Sequence, residues 1–412
     1  MATNLEWVSA RSMAPHAPFD LKTLCFHRRP PAGQTVRLYA VGDIGLFGRA
    51  KVTAEKEGFP KLFQEAASLL HTGDIVFGNL ETPLLDWFSD ASCFAGGQGS
   101  VESLKVGGFT LLHLANNHIH DFGPRGLAST LQNLREAGIA PLGAADSDHR
   151  ARQLVRTDKK GLRIGWLGCG RTLQHQGDHG PRFWEFDHDE LLSAVRQARS
   201  EVDVLIVSIH TGLMYLDFPH PVQKTLAERM LAERVNLVLM HHAHVLQGVQ
   251  TRNGCVICHS LGNFLFDSQG GAVRANVMKK EQEEGAVFLF DLDRKGVCLA
   301  AAMPTYADDD CCVRWATGPR GTRILSRLAS ISVALENGYL PFFWGQRLRR
   351  HLGITIRLVW HHVSHGNWAI VVAMLVELLA GFCREAHLDF LMRFFGRLAG
   401  RPLTRNVQDA SP

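Results

Sequence analysis

No run of Lys or Arg in this chain is longer than a pair, although it holds 44 of them against 40 Asp and Glu, for a net charge of +4. Cations scattered in this way argue against nucleic-acid binding as the main task. A disulfide framework is missing too. The nine Cys have no regular spacing, Cys311 and Cys312 are adjacent, and the single CxxC, Cys255 to Cys258, has no second pair to complete a metal site. These read as reduced core thiols. The N-terminus lacks a charged segment followed by an apolar core, so a secretory signal is not expected and the cytoplasm is. No apolar run reaches the ~20 residues that span a bilayer. The strongest, residues 368–383, is interrupted by Glu377 and reads as a buried or interfacial helix, which limits membrane contact to the C-terminal helices. Internal repeats and low-complexity tracts are absent.

What the chain does have is a recurrent junction between a short apolar run and a polar cluster. Residues 38–41 lead into Gly42-Asp43, residues 75–77 into Gly78-Asn79-Leu80-Glu81, and residues 111–115 into Asn116-Asn117-His118. Residues 204–209 end at His210, residues 237–240 at His241-His242-Ala243-His244, and residues 256–261 lead into Gly262-Asn263. Such runs read as fully buried strands. If they lie side by side in one sheet, their ends share the edge where open α/β sheets place ligands. Asp, Glu, Asn and several of the 21 His gathered on one edge form a metal-ligand inventory.

Helices separate these strands. Gly123-Pro124 opens one in which Leu127, Leu131, Leu134 and Ala137 recur at helical spacing until Gly138 stops it. A second, over about 222–234, carries Leu226, Met230 and Leu231 on one face and makes the His210 and His241 strands neighbours through a crossover. The expected organisation is a polar tail over 1–35, an α/β domain over 36–305, and a helical appendage over 306–412.

Taken in order, the motifs are Gly42-Asp43-Ile44, Asn79-Leu80-Glu81-Thr82-Pro83, Leu114-Ala115-Asn116-Asn117-His118, Asp121-Phe122-Gly123, His210-Thr211-Gly212, His241-His242-Ala243-His244-Val245-Leu246-Gln247 and Ser260-Leu261-Gly262-Asn263-Phe264. This set resembles the bacterial capsule-synthesis proteins of the CapA type, also called poly-γ-glutamate biosynthesis proteins, a branch of the calcineurin-like metallophosphoesterases. The resemblance runs from about residue 36 to 300. It implies a four-layer αββα sandwich with a metal centre at its loop edge and a C-terminal helical appendage outside it. It also implies Asp43, Asn117, His210, His241 and His244 as metal ligands, with His118 as the catalytic histidine and His242 as an extra donor.

The chain departs from that pattern at four places. Met240 and Ala243 replace a Gly and a Pro around the histidines, Gly45 stands where a metal His is usual, and Glu81 occupies the place of a bridging Asp. Asp74, in a Gly-Asp dipeptide, precedes the apolar run 75–77 whereas Glu81 follows it. Seven residues at roughly 3.3 Å each separate the two by about 20 Å, so both cannot reach one ion. Glu81 is the expected ligand because it shares the end of its strand with Asp43 and His210.

Imidazole, carboxylate and amide donors without thiolate suit one or two Mn, Fe or Zn ions. The ordinary readings remain open beside these: Asp43 as a turn cap, His210 as a loop residue, Asn116 as structural, His113 as a core residue, and Asp121 as an acceptor that orients His118. Asn79, Arg125 and Asn263 are candidates for substrate contact, against a turn amide, a solvated Arg and a loop-shaping Asn. Arg171 shares the reading of Arg125. The resemblance implies a metal-dependent hydrolase acting on a phosphoester, a γ-glutamyl bond or another anionic substrate, small molecule or polymer. A non-hydrolytic capsule assembly or export factor that keeps the fold is the alternative.

Overall fold

Side chains alternate in direction along the continuously buried central strands, and the alternation sorts them into three apolar layers around two sheets. The structure is a computed structural model and describes residues 5–13, 16, 21–87, 94–97, 99–171, 180–267 and 280–350. It divides into two units, Met1–Phe343 and Trp344–Pro412. In the first unit the larger sheet has Val36–Ile44, Ile75–Leu80, Leu111–His113 and Ala140–Leu142 running parallel in that order. The long hairpin of Glu284–Asp293 and Gly296–Ala307 joins it antiparallel, on the other side of Val36–Ile44. In the smaller sheet Leu162–Gly170, Val204–His210, Leu237–His241 and Cys255–Cys258 are parallel neighbours. The strands with polar ends therefore divide between two sheets rather than lining one.

Parity explains the layering. Leu38, Ala40, Ile75 and Phe77 point from the larger sheet into a core shared with Ile164, Trp166, Ile206, Leu237 and Leu239 of the smaller one. Phe77 and Trp166 stack across it, with ring centroids 5.4 Å apart. The intervening residues Tyr39, Val41, Val76 and Leu112 face outward beneath helical Leu69, Leu127, Leu131 and Leu134. On the other flank Leu205, Val207, Val238 and Met240 lie beneath Leu191, Val195, Leu226 and Met230. Helix, sheet, sheet and helix make the four-layer αββα sandwich. Its crossovers form where the sequence places them. Gly123–Glu136 carries Pro in its first turn, and Gly138 follows it at φ +73°. Pro221–Ala232 is capped by a reciprocal His220 and Gln223 box.

The expected boundaries at 35 and 305 do not separate folded units. Lys22–Arg28 pairs antiparallel with Gly296–Ala307, and Glu6–Ser9 pairs with Lys22–Arg28. Leu24 and Phe26 enter the inter-sheet core, so the expected polar tail in fact has an apolar face of period two. At the other end Val313–Trp315 extends the sheet, and helix Gly318–Asn337 buries Ile324, Leu325 and Leu328 in the same core. Both additions pair with elements distant in sequence, which local patterning does not reveal. Of the second unit, residues 344–350 are described and are helical. The rest of the expected appendage, with the 368–383 stretch, lies outside the described residues. Among the described residues no helix is long and apolar enough to cross a membrane. Cys255 and Cys258 are free and lie on one strand, and burial raises the Cys258 thiol.

One ion pair ties the N-terminal segment to the central hairpin. Arg29 donates two hydrogen bonds of 2.6 Å to the buried Asp293 carboxylate, which also accepts from the Ala32 and Lys295 amides. The Arg29 bonds push Asp293 down to about 2. A carboxylate depressed on folding adds stability that is complete above its unfolded value of ~3.9 and is lost as pH falls through the folded value. A fall of this size corresponds to about 2.5 kcal/mol without screening. Arg29 is partly exposed, so solvent and salt screen some of that. Asp293→Asn should therefore lower the unfolding free energy at pH 7 by roughly 1–2 kcal/mol and flatten the loss of stability between about pH 4 and 2. Denaturant melts across that window check it; an unchanged acid limb in the variant contradicts it.

Candidate metal centre

The same parity that builds the inter-sheet core aims polar side chains into its rim. Asn79 continues the row of Ile75 and Phe77, His210 that of Ile206, and His241 that of Leu237 and Leu239. Where the apolar residues stop, both sheets present polar groups to the same seam. Asp43 reaches it through an irregularity in pairing between Ala40 and Asp43, and its amide donates to the Gly262 carbonyl at 2.9 Å. The chains approach so closely that a Cβ on Gly42 would sit 1.9 Å from the Gly262 oxygen. Only glycine at 42 allows this approach.

Eight side chains converge there. Glu81, His210 and His242 present donor atoms within 4.8 Å of one another, and so do Asp43, Glu81 and His244. Glu81 belongs to both sets. Asn117 places its Oδ1 2.7 Å from His210 Nε2, and His242 Nδ1 lies 3.0 Å from the same nitrogen. His244 Nδ1 lies 3.0 Å from Asn263 Oδ1 and 3.2 Å from Asp43 Oδ2, leaving Nε2 on the Glu81 side at 3.7 Å. Asn79 donates to Asp43 Oδ1 at 2.8 Å and lies 3.1 Å from His210 Nδ1. It fixes the spacing between those two groups.

Electrostatics within the cluster follow from burial first and neighbours second. Burial raises Glu81, and the Asp43 charge adds to this against the pull of His244, giving about 7. Burial would raise Asp43 as well, but the two imidazoles facing it, His241 and His244, hold it well below the usual carboxylate range. His244 is pulled down by burial yet raised overall to about 9 by Glu81 and Asp43. Burial and neighbouring imidazoles lower His210 well below its ordinary value and His242 to about 4. Neutral imidazoles beside ionisable carboxylates are in the state that binds a cation.

A divalent ion fits this set on the structure's own terms. Asp43 Oδ2 and both Glu81 oxygens are buried and accept no hydrogen bond. Buried anionic oxygens are costly without a partner, and nitrogen and oxygen donors without thiolate suit Mn, Fe or Zn.

Several expected roles need revision. His241, expected as a ligand, belongs to neither donor set, although it is paired in register with His210 and both its ring nitrogens are buried without a hydrogen bond. It stacks on His113 at 5.7 Å and its Nδ1 lies 3.4 Å from Asp43 Oδ1. His242 joins His210 at the rim, from a backbone at φ +91°, with His244 at φ +54°. Strained backbone of this kind persists only where surrounding contacts hold it. Asn79 and Asn263 are buried behind the donors, so they position the cluster rather than meet substrate. Arg125 stacks over Trp87 at 4.1 Å, and Arg171 lies over Phe186. Asn116 accepts from the His118 and Ile119 amides and donates to Leu80, shaping the turn. His113 is a core residue that burial pushes to about 3. Asp74 lies at the far end of its strand, bonded to the Arg37 amide and to Lys160.

His118 sits at the mouth of the cluster, partly exposed, with Nδ1 2.7 Å from Asp121 Oδ2. Phe94 lies against it at 4.1 Å, and Phe47 and Phe266 complete an aromatic wall that also touches His244. No sequence signal marks that wall. It accounts for Gly45: a Cβ there would meet Phe47 at 2.5 Å and Phe266 at 2.9 Å, so no histidine fits.

Known proteins resemble this chain. The family model described as "Bacterial capsule synthesis protein PGA_cap" matches residues 37–268. The chain is 29% identical over 243 residues to "Capsule biosynthesis protein CapA" of Bacillus anthracis, covering 55% of this chain and 59% of that one. It is 30% identical over 237 residues to "PGA biosynthesis protein CapA" of Bacillus subtilis strain 168, covering 55% and 62%. The chain thus spans about three-fifths of the length of these relatives. Among solved structures, the calcineurin-like phosphoesterase YfkN of Bacillus subtilis aligns with a TM-score of 0.38 and 10% identity over 73% of this chain and 98% of that one. With more than half of its length matched by the family model, the chain belongs to the bacterial capsule synthesis protein PGA_cap family.

Proposed function

We propose that this protein is a metal-dependent hydrolase of the capsule and poly-γ-glutamate biosynthesis type, acting on a phosphoester or γ-glutamyl bond in an anionic substrate. The observation that carries the reading is the sharing of Glu81, neither of whose oxygens accepts a hydrogen bond, between two donor sets. Asp43 and His244 flank one side of Glu81, and His210 and His242, with Asn117, flank the other. These residues would hold one or two divalent ions. A bound ion supplies Lewis-acid activation of water and of a phosphoryl or acyl oxygen.

The chain's own residues do the rest. Asn263 Oδ1 accepts from His244 Nδ1 and leaves its Nε2 on the Glu81 side, as supporting groups do around metal ligands, and Asn79 spaces Asp43 from His210. Asp121 engages His118 Nδ1, which leaves Nε2 toward the open mouth to give a proton to a leaving group. Phe47, Phe94 and Phe266 exclude water from one side and strengthen every charge interaction within. The filled space at Gly45 favours a second reading, an assembly or export factor that keeps the fold without turnover. Metal content and turnover separate the two.

Metal analysis of purified protein with phosphodiester and γ-glutamyl substrates should give stoichiometric metal and turnover of one class. Metal-free, inert protein supports the binding factor. His118→Ala should lose at least ~100-fold in kcat, in line with loss of a general acid, with metal content retained. His210→Ala and His242→Ala should lose metal, and equal metal loss in His118→Ala reassigns that residue to ligation. Glu81→Gln should weaken metal affinity by roughly 10-fold or more, whereas Asp74→Asn leaves affinity and rate at wild-type values. Titration with a chelating competitor measures both; metal loss confined to Asp74→Asn rules out the shared carboxylate.

A further inference from the structure

Lys51 carries a buried side-chain amine. It lies on helix Gly48–Glu57, is 3% exposed, and its Nζ makes no hydrogen bond among the described residues. Lysines are almost never buried this completely without a counter-charge, because the long stem can carry the amine to water. Carboxylates on neighbouring elements are engaged elsewhere: Asp267 with Arg49, Glu102 with Lys105 and Glu57 with Lys61. Glu55, on the same helix, is exposed to solvent.

The location gives the amine a use. Lys51 stands one turn beyond Phe47, whose ring touches Phe94, which in turn covers His118. The chain returns from Phe94 to the amine through a glycine-rich bend. A Cβ on Gly97 would lie 3.5 Å from Lys51 Cε and 3.8 Å from Nζ, so glycine leaves the amine bordered by bare backbone. Gly97 itself is partly exposed. The amine is thus screened from bulk water, beside the wall of the candidate centre, and reachable past a residue with no side chain.

We propose that Lys51 and the glycine bend at 96–97 form an anion subsite that takes a second carboxylate or phosphoryl group of the substrate bound at the candidate metal centre. This rests on the reading of that centre as a substrate site. A substrate with one anionic group at the centre and a second that reaches Lys51 satisfies both, whereas a substrate with a single anionic group at the centre leaves Lys51 unpaired. A charge-assisted hydrogen bond in a screened site distinguishes the two substrates strongly.

The test uses the full chain loaded with metal, at constant ionic strength, with inorganic phosphate and glutarate as phosphoryl and carboxylate probes. Calorimetric titration of wild type, Lys51→Met and Lys51→Arg is compared with their melting temperatures. The proposal expects Lys51→Met to melt at a higher temperature than wild type without probe, since an unpaired buried charge is removed. It expects weaker binding of at least one probe by about 10-fold or more, the loss of one charged hydrogen bond, with metal content unchanged and Lys51→Arg close to wild type. Which probe loses affinity identifies the anion. Unchanged affinity for both probes in Lys51→Met overturns the proposal, and so does a fall in melting temperature without probe, which assigns the lysine to packing. Lys51→Gln repeats the binding test if Lys51→Met does not fold. Wild type that takes up no metal but binds a probe through Lys51 defeats the metal-centre reading alone; normal metal and turnover with unchanged probe affinity defeats this one alone.

Discussion

Two carboxylates, Asp43 and Glu81, are held at the seam between two sheets with oxygens that accept no hydrogen bond. Their burial is the constraint on which the rest of the site turns. Isolated buried anions are too costly to persist, and the protein meets the cost partly with His244, which stands near both and is raised to about 9. His210 and His242 are kept neutral by the same burial. The cluster therefore places buried carboxylate oxygens beside neutral nitrogen donors, a donor set that suits a divalent ion. Asn79, Asn117 and Asn263 set ring positions without adding charge.

The sandwich supplies this arrangement because its two sheets end together. Each central strand contributes an apolar row to the inter-sheet core, and the next residue on the same face is polar: Asn79 after Phe77, His210 after Ile206 and Ser208, His241 after Leu239. Close backbone contact at Gly42 and Gly262 brings Asp43 level with them. The large core behind is what allows strained loop residues, His242 and His244, to keep their positive φ. Helix Gly318–Asn337 and the strand Lys22–Arg28 widen that core from parts of the chain far from the site.

Much of this is legible in the sequence because strand parity is a local property. The apolar runs, their polar ends, both crossover helices and the separation of Asp74 from Glu81 all follow from it. The place of His242 in a donor set is not legible this way, since parity gives His241 the same face as His210 and motif spacing selects His241 and His244. Other features have no local signal. Lys22–Arg28 is a strand only because Gly296–Ala307 offers an edge. The aromatic wall brings together Phe47, Phe94 and Phe266 from three separate segments. The substrate roles expected for Asn79 and Asn263 fail because exposure, unlike residue type, depends on what packs over a loop.

The sharing of Glu81 by two cation positions is tested most directly by anomalous diffraction from crystals grown with Mn or Zn. Anomalous density is expected beside Glu81, on the side of Asp43 and His244, on the side of His210 and His242, or on both. Ordered metal bound by His241 and His113, or at Asp74, with no density beside Glu81, contradicts it.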